Sequence, residues 1–197
     1  MDFYKLNINE ITSDQRDFLR GTFPKRYWKA VNYRFDRDKD RCLGAYLLLE
    51  KAFPGFKEED INFTELGKPY FKIGLRFNYS HSGDYVVLVT DNDEVGIDIE
   101  QIREKNFSIL KNCFSSREFA WIEEKNSLER FLTLWCKKES LLKLFGLGIS
   151  VKLNEIDVLD LDPKKPSVFF EKEVYNKTFT LDNHIVSVSS FNKPDFI

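Results

Sequence analysis

Apolar residues at helical spacing, followed twice along the chain by short β-rich runs, predict an α+β fold and not a doubly wound sheet. Two signals support that reading. Pro54-Gly55 stops the first helical block ahead of its strands, and Ser115-Ser116-Arg117-Glu118 offers a capping box that opens a second block. In order, helices are expected around 12–20, 24–32 and 38–52, then a strand near 61–64 and a turn at Gly67-Lys68-Pro69. Phe77 to Asp84 reads as a polar loop punctuated by Gly83. Residues 85–89 and 95–99 read as the arms of a β-hairpin with Asp91-Asn92-Asp93-Glu94 at its tip. The capped helix runs from Ser115 to about Lys125, and a second spans Phe131 to Phe145, closing at Gly146 or Gly148. Short strands are expected near 156–159, 167–171, 177–181 and 184–190.

A chain of 197 residues is long enough for one sizeable core or two small abutting ones, and its 19 Phe favour tight packing over disorder. The net charge of −2 argues against non-specific nucleic-acid binding. Cys42, Cys113 and Cys136 are odd in number and lack C-x-x-C spacing, which supports neither a disulfide framework nor a structural zinc site. Met1-Asp2-Phe3-Tyr4-Lys5 carries no basic region ahead of an apolar stretch, and no run reaches membrane-spanning length. The expectation is a cytoplasmic protein with no membrane or nucleic-acid partner.

Chemistry concentrates in Val95-Gly96-Ile97-Asp98-Ile99-Glu100. On a strand, Ile97 and Ile99 turn to a core while Asp98 and Glu100 project together from the other face. Two convergent carboxylates suit a hard cation such as Mg²⁺, though an isolated D-x-E also arises on any acidic strand face. Trp135, Glu139 and Lys143 fall four apart on one helical stripe, which presents a carboxylate and an ammonium together, or else merely decorates a helix surface. Ser80, His81 and Ser82 supply hydroxyl, imidazole and backbone N–H donors suited to phosphate. A hydrolase nucleophile is disfavoured, because there is no G-x-S-x-G elbow and the only other histidine is His184.

Gly67-Lys68-Pro69, Phe77-Asn78-Tyr79-Ser80-His81-Ser82, Gly96-Ile97-Asp98-Ile99-Glu100 and Trp135-Cys136-Lys137-Lys138-Glu139-Ser140-Leu141-Leu142-Lys143 stand in the order found in one family. Together they resemble the signature of the 4'-phosphopantetheinyl transferases, specifically the larger, surfactin-synthetase-activating class. The resemblance is specific over residues 67–143 and looser on either side; Cys136 departs from the family pattern without touching the proposed chemistry. It implies a pseudodimer of two similar α+β halves, 1–100 and 101–197, with the active site in the cleft between them. It implies transfer of the 4'-phosphopantetheine arm of coenzyme A to a serine of an apo acyl or peptidyl carrier protein, releasing 3',5'-ADP.

On the same resemblance, Asp98, Glu100 and Glu139 hold Mg²⁺, with Mn²⁺ as a substitute. Glu139 accepts the serine proton directly or through a water, and Lys143 stabilises or protonates phosphate oxygens. Coenzyme A contacts fall to Lys25, Arg41, Lys68, Ser80 and His81. Lys25, Arg26 and Lys29 form a basic cluster for the 3'-phosphate, although family analogy favours Arg41 and His81 and the spacing from Lys25 and Lys29 does not match cleanly. The carrier is expected to dock on Arg103, Lys105, Phe107, Leu110 and Lys111, with Leu141, Leu142 and Phe145 nearby. A chain that completes its own cleft implies a monomer. Two readings from other classes remain: a Mg²⁺-dependent phosphohydrolase, and a non-catalytic carrier-binding module, which would be expected to have lost one of the three carboxylates. The carrier itself, from fatty-acid, polyketide, nonribosomal-peptide or aminoadipate pathways, is not named by the sequence.

Overall fold

The computed structural model describes residues 1–103, 112–125, 128–148 and 151–195. Strand β1 (Asp2–Asn7) leads into helices α1 (Ser13–Thr22), α2 (Pro24–Val31) and α3 (Asp36–Ala52). Then come β2 (Ile61–Phe63), β3 (Pro69–Phe71), β4 (Arg76–Ser82), β5 (Tyr85–Asp91) and β6 (Val95–Gln101). Helices α4 (Ser116–Glu123) and α5 (Leu128–Phe145) precede β7 (Ser167–Phe169), β8 (Lys172–Leu181) and β9 (His184–Ser190). No helix among the described residues is long and apolar enough to cross a membrane.

Local chemistry sets the helix ends. Thr12 and Gln15 cap α1 reciprocally, and Pro24 opens α2 where its missing N–H costs nothing. The expected box at α4 is present, with Ser115 N donating to Glu118 Oε2 at 2.8 Å and Glu118 N to Ser115 Oγ at 3.1 Å. Helix α5 stops at Gly146, whose φ of 67° suits a residue without a side chain, and Leu147 N reaches back to Leu142 O at 2.9 Å.

The strands form an antiparallel sheet β1-β5-β4, a small pair β2-β3, and an antiparallel sheet β6-β9-β8-β7. Ser82 pairs with Tyr85 across the β4–β5 hairpin, and Asp98 lies opposite Ser187 in the β6–β9 ladder. One apolar cluster joins α1, α2 and α3 to the first sheet, and a second joins α5 to the other. A third draws on both sheets through Val87, Val89, Ile97, Ile99, Val186 and Val188.

Between the large sheets, β4 runs alongside β6, and side chains take the place of a backbone ladder. Ile97 N donates to Asn78 Oδ1 and Gln101 N to Ser82 Oγ, each at 3.0 Å. Ser80 Oγ donates to Asp98 Oδ1 at 2.9 Å and Ser82 Oγ to Glu100 Oε2 at 3.0 Å.

Four expectations are corrected. Residues 76–82 form a strand, because their polar side chains bond to β6 instead of facing water. β5 and β6 are not hairpin arms: β5 pairs with β1 and β4, β6 pairs with β9, and residues 92–94 carry the chain from one sheet to the other. Residues 156–159 are not a strand, although Ile156 and Val158 are buried in the second core. Strands β1 and β3 were not anticipated at all.

Candidate active site

Asp98 and Glu100 leave β6 on the face opposite Ile97 and Ile99, as the period of two demands. Gly96, two residues earlier, lets α5 lie directly on the strand: a Cβ there would fall well inside contact distance of Ser140 O and Leu144 N. That approach brings Lys143 Nζ to 2.6 Å from Asp98 Oδ1 and 3.0 Å from Ser80 Oγ. Asp98 is 5% exposed, and its Oδ2 is buried without a hydrogen-bond partner among the described residues.

Glu139 stands one turn before Lys143 on the same stripe. Burial, and then the negative charge of Asp98, raise its pKa above the usual carboxylate range; Lys143 pulls the other way and Glu100 adds to the rise. Burial alone would lower the Lys143 pKa, yet Asp98, by charge and hydrogen bond, and then Glu139 raise it, so the ammonium is held charged. Among the described residues no three acidic, imidazole or thiol groups make a ready cation cage. Lys143 instead sits on Asp98 as an internal counter-charge. The donor set nonetheless fits a hard cation, since Asp98 Oδ2 lacks a hydrogen-bond partner among the described residues and Glu139 feels the charge of both Asp98 and Glu100.

Because folding raises the Glu139 pKa, its ionised form costs the folded state stability at neutral pH, and that cost fades as pH falls through the folded value towards 4.5. Glu139→Gln is therefore expected to raise the melting temperature of the metal-free protein at pH 7, by an amount that shrinks in acid, while abolishing activity. Thermal scans at several pH values check this; an unchanged or lower melting temperature at pH 7 contradicts the electrostatic account.

The Gly67-Lys68-Pro69 turn places Lys68 Nζ at 2.6 Å from Glu94 Oε2 and 3.0 Å from Leu144 O, so Lys68 ties the β2–β3 turn to the end of α5. Burial lowers its pKa, and Glu94 opposes the shift. Lys68, Asn78, Tyr79, Glu139 and Lys143 line one groove of about 330 Å³. His81 points from the other face of β4 towards a small recess shared with Arg26, Asp38 and Cys42. Desolvation, then the positive charges of Arg41 and Lys143, lower its pKa. Arg41 donates from Nε and Nη2 to Gly83 O at 2.9 and 2.6 Å and from Nη1 to Asp38 Oδ1 at 2.9 Å.

Arg26 is structural, donating from Nε to Cys42 O at 2.9 Å with its guanidinium 4.6 Å from the Tyr46 ring centroid. Lys25 and Lys29 stand exposed one turn apart on α2. Of the expected docking residues, Arg103 is exposed at the end of β6, whereas Lys105, Phe107, Leu110 and Lys111 lie outside the described residues. Leu141 and Leu142 are core, at 0% and 3% exposure, and Phe145 packs against Phe170 and Phe191. Burial leaves Leu141 to the core, while Leu142 also lines the groove beside Glu139 and Lys143. Trp135 likewise packs against the second core.

Two features escaped the sequence reading. Cys136 lies closer to the site than expected: burial, and then Asp98 and Glu100, push its thiol pKa well up, so it stays protonated. Beside Glu139, Lys138 is fully buried and paired with an equally buried Glu118 at 2.8 Å. Lys138 also donates to Leu153 O at 2.8 Å and to Ile156 O, while Glu118 Oε1 accepts from Val158 N at 2.9 Å. This network fixes α5 against α4 and the segment after it. The only sequence signal was a lysine beside a site carboxylate with a glutamate at a capping position.

Comparison with known proteins bears on the family of the whole chain. The family model described as the 4'-phosphopantetheinyl transferase superfamily matches residues 94–189. The 4'-phosphopantetheinyl transferase gsp of Aneurinibacillus migulanus is 32% identical over 185 residues, covering 85% of this chain and 78% of that protein. A 4'-phosphopantetheinyl transferase of Bacillus subtilis is 31% identical over 181 residues, covering 85% and 81%. The transferase Sfp of Bacillus subtilis strain 168 is 27% identical over 211 residues, covering 100% and 94%.

Proposed function

The chain belongs to the 4'-phosphopantetheinyl transferase family, and from that premise we propose how its residues divide the work of moving the 4'-phosphopantetheine arm of coenzyme A onto a serine of an apo carrier protein, with release of 3',5'-ADP. The observation that carries the assignment is the Asp98, Ser80 and Lys143 cluster, opening on a groove that also takes in Lys68 and Glu139.

Asp98, Glu100 and Glu139 are the residues to hold Mg²⁺, with Mn²⁺ as a substitute, and the unused Asp98 Oδ2 supports that role. The cation supplies charge neutralisation at the pyrophosphate. Glu139 takes the proton of the carrier serine, directly or through a water. Lys143, already charged, lines the groove and is the cation to meet the phosphate oxygens, while Ser80 holds it against Asp98. Lys68 borders the nucleotide, Arg41 and His81 meet the 3'-phosphate, and the exposed Lys25 adds positive charge from α2.

The two large sheets support a pseudodimer. β1, α3, β4 and β5 follow one another as do β6, α5, β8 and β9, and each set gives a sheet with its first strand beside its last. On this reading the halves 1–100 and 101–197 share β6 at their border: it pairs with β9, yet its carboxylates meet β4. The cleft along that border lies within one chain, so a monomer suffices.

Incubation with coenzyme A, Mg²⁺ and a panel of apo carrier proteins, followed by intact mass, tests the function: one phosphopantetheinyl group gained by a carrier supports it, and no gain across the panel rejects it. Arg41→Ala is expected to raise the KM for coenzyme A about tenfold, equal to the loss of roughly 1.4 kcal/mol of binding, and to leave the KM for 3'-dephospho-coenzyme A nearly unchanged. Steady-state kinetics with both nucleotides check it; equal effects on the two would remove Arg41 from the 3'-phosphate.

A further inference from the structure

Gly83, in the β4–β5 turn, is gripped from both sides of the molecule. Its carbonyl accepts two N–H bonds from Arg41 on α3, at 2.9 and 2.6 Å. Its α-carbon faces His184, the first residue of β9: with φ at 55°, a Cβ at position 83 would meet His184 Nε2 at 2.5 Å and Gln101 Cδ at 2.8 Å. His184 is 3% exposed, and its ring lies against the backbone of Ser82 and Leu181, in contacts too poorly aligned to count as full hydrogen bonds. The Tyr85 ring meets it edge-on with centroids 5.1 Å apart, and Tyr85 Oη donates to Asp182 Oδ2 at 2.5 Å. The imidazole is thus wedged between the tips of two hairpins, one from each large sheet.

The ring bridges the backbone of the two hairpins, at Ser82 in one and Leu181 in the other, which an aliphatic side chain of the same size would not do. On the first hairpin the ring closes against Ser82 and Gly83, leaving no room for a side chain at position 83. We propose that His184 is a positioning residue for coenzyme recognition: it holds the Gly83 turn where its carbonyl fixes the Arg41 guanidinium, so that a residue of the second sheet sets the nucleotide preference of one on α3. This rests on the assignment of Arg41 to the 3'-phosphate. The Ser82 side chain keeps its bonds to Gln101 N and Glu100 without the imidazole, so the main effect of losing the ring falls on the Gly83 turn and Arg41.

The test is kinetic, on the full chain. His184→Ala is expected to raise the KM for coenzyme A about fivefold, to hold kcat within about twofold, and to narrow the preference over 3'-dephospho-coenzyme A. His184→Phe, which restores a ring, is expected to return the KM to within about twofold of the parent value. Gly83→Ala provides a second approach that does not depend on the alanine variant folding well: it is expected to give the same KM defect, and its double variant with His184→Phe to be worse than Gly83→Ala alone, because the added methyl meets a larger ring. An unchanged preference in His184→Ala, or effects of Gly83→Ala and His184→Phe that simply add, overturns the inference. Arg41→Ala run in parallel separates the causes. If it too leaves the preference intact, the Arg41 assignment fails; if it alters the preference and His184→Ala does not, only the role of His184 fails.

Discussion

Asp98→Ala is expected to lower the rate of carrier modification by about a thousandfold or more while leaving the protein folded, a loss of roughly 4 kcal/mol at the transition state. Asp98 does several things at once. It accepts from Ser80 and Lys143 through Oδ1, and it keeps Oδ2 free in a buried setting. Without it, Lys143 keeps its charge with less compensation, Ser80 loses its acceptor, and the carboxylate set drops to two. Asp98→Asn separates shape from charge: it preserves volume and a hydrogen-bond acceptor, so a loss nearly as large as that of alanine assigns the effect to charge. Single-turnover modification followed by intact mass, with circular dichroism to monitor folding, reads both variants. Rates within tenfold of the parent in either would remove Asp98 from the chemistry.

The second large effect is on stability. Gly96→Ala is expected to destabilise the protein by about 3 kcal/mol, read as a lower denaturant midpoint at unchanged slope. The added methyl would collide with backbone atoms, Ser140 O and Leu144 N, and lie 3.0 Å from Leu144 Cα. Backbone cannot rotate aside as a side chain can, so the whole helix must withdraw from β6. Residues 140 and 144 flank Glu139 and Lys143, so activity should fall as well, even under conditions where the variant is fully folded. A variant of parental stability would mean that α5 does not rest on the strand as closely as described.

Much of this was legible from short-range patterns. The capping residues Ser115 and Glu118, Pro54-Gly55 and Gly146 mark helix boundaries through chemistry that acts within a few residues. The stripe of Glu139 and Lys143, and the alternation of Asp98 and Glu100 with isoleucines, are equally local. What failed was pairing. The link 92–94 is short enough for a hairpin tip, yet it leads from one sheet to another, a decision made by β9, which lies far along the chain. Residues 156–159 alternate like a strand, but Lys138 and Glu118 take their backbone groups instead. The wedge of His184 on Gly83 joins two turns from opposite ends of the sequence, and nothing near either residue announces the other.

The side-chain seam between β4 and β6 also restricts how this protein can be written. In an ordinary ladder the peptide groups do the joining, and a strand position accepts many residues so long as its face is suited. Here Asn78, Ser80 and Ser82 do the joining themselves, Asn78 and Ser80 each reaching one partner on β6 and Ser82 two. A longer residue at any of them would prise the sheets apart, and a shorter or apolar one would leave a peptide N–H or a carboxylate bare. Alternate letters of this strand therefore have almost a single spelling, small and polar, and a segment buried at the centre of the molecule is condemned to look like a surface loop to anyone reading the gene.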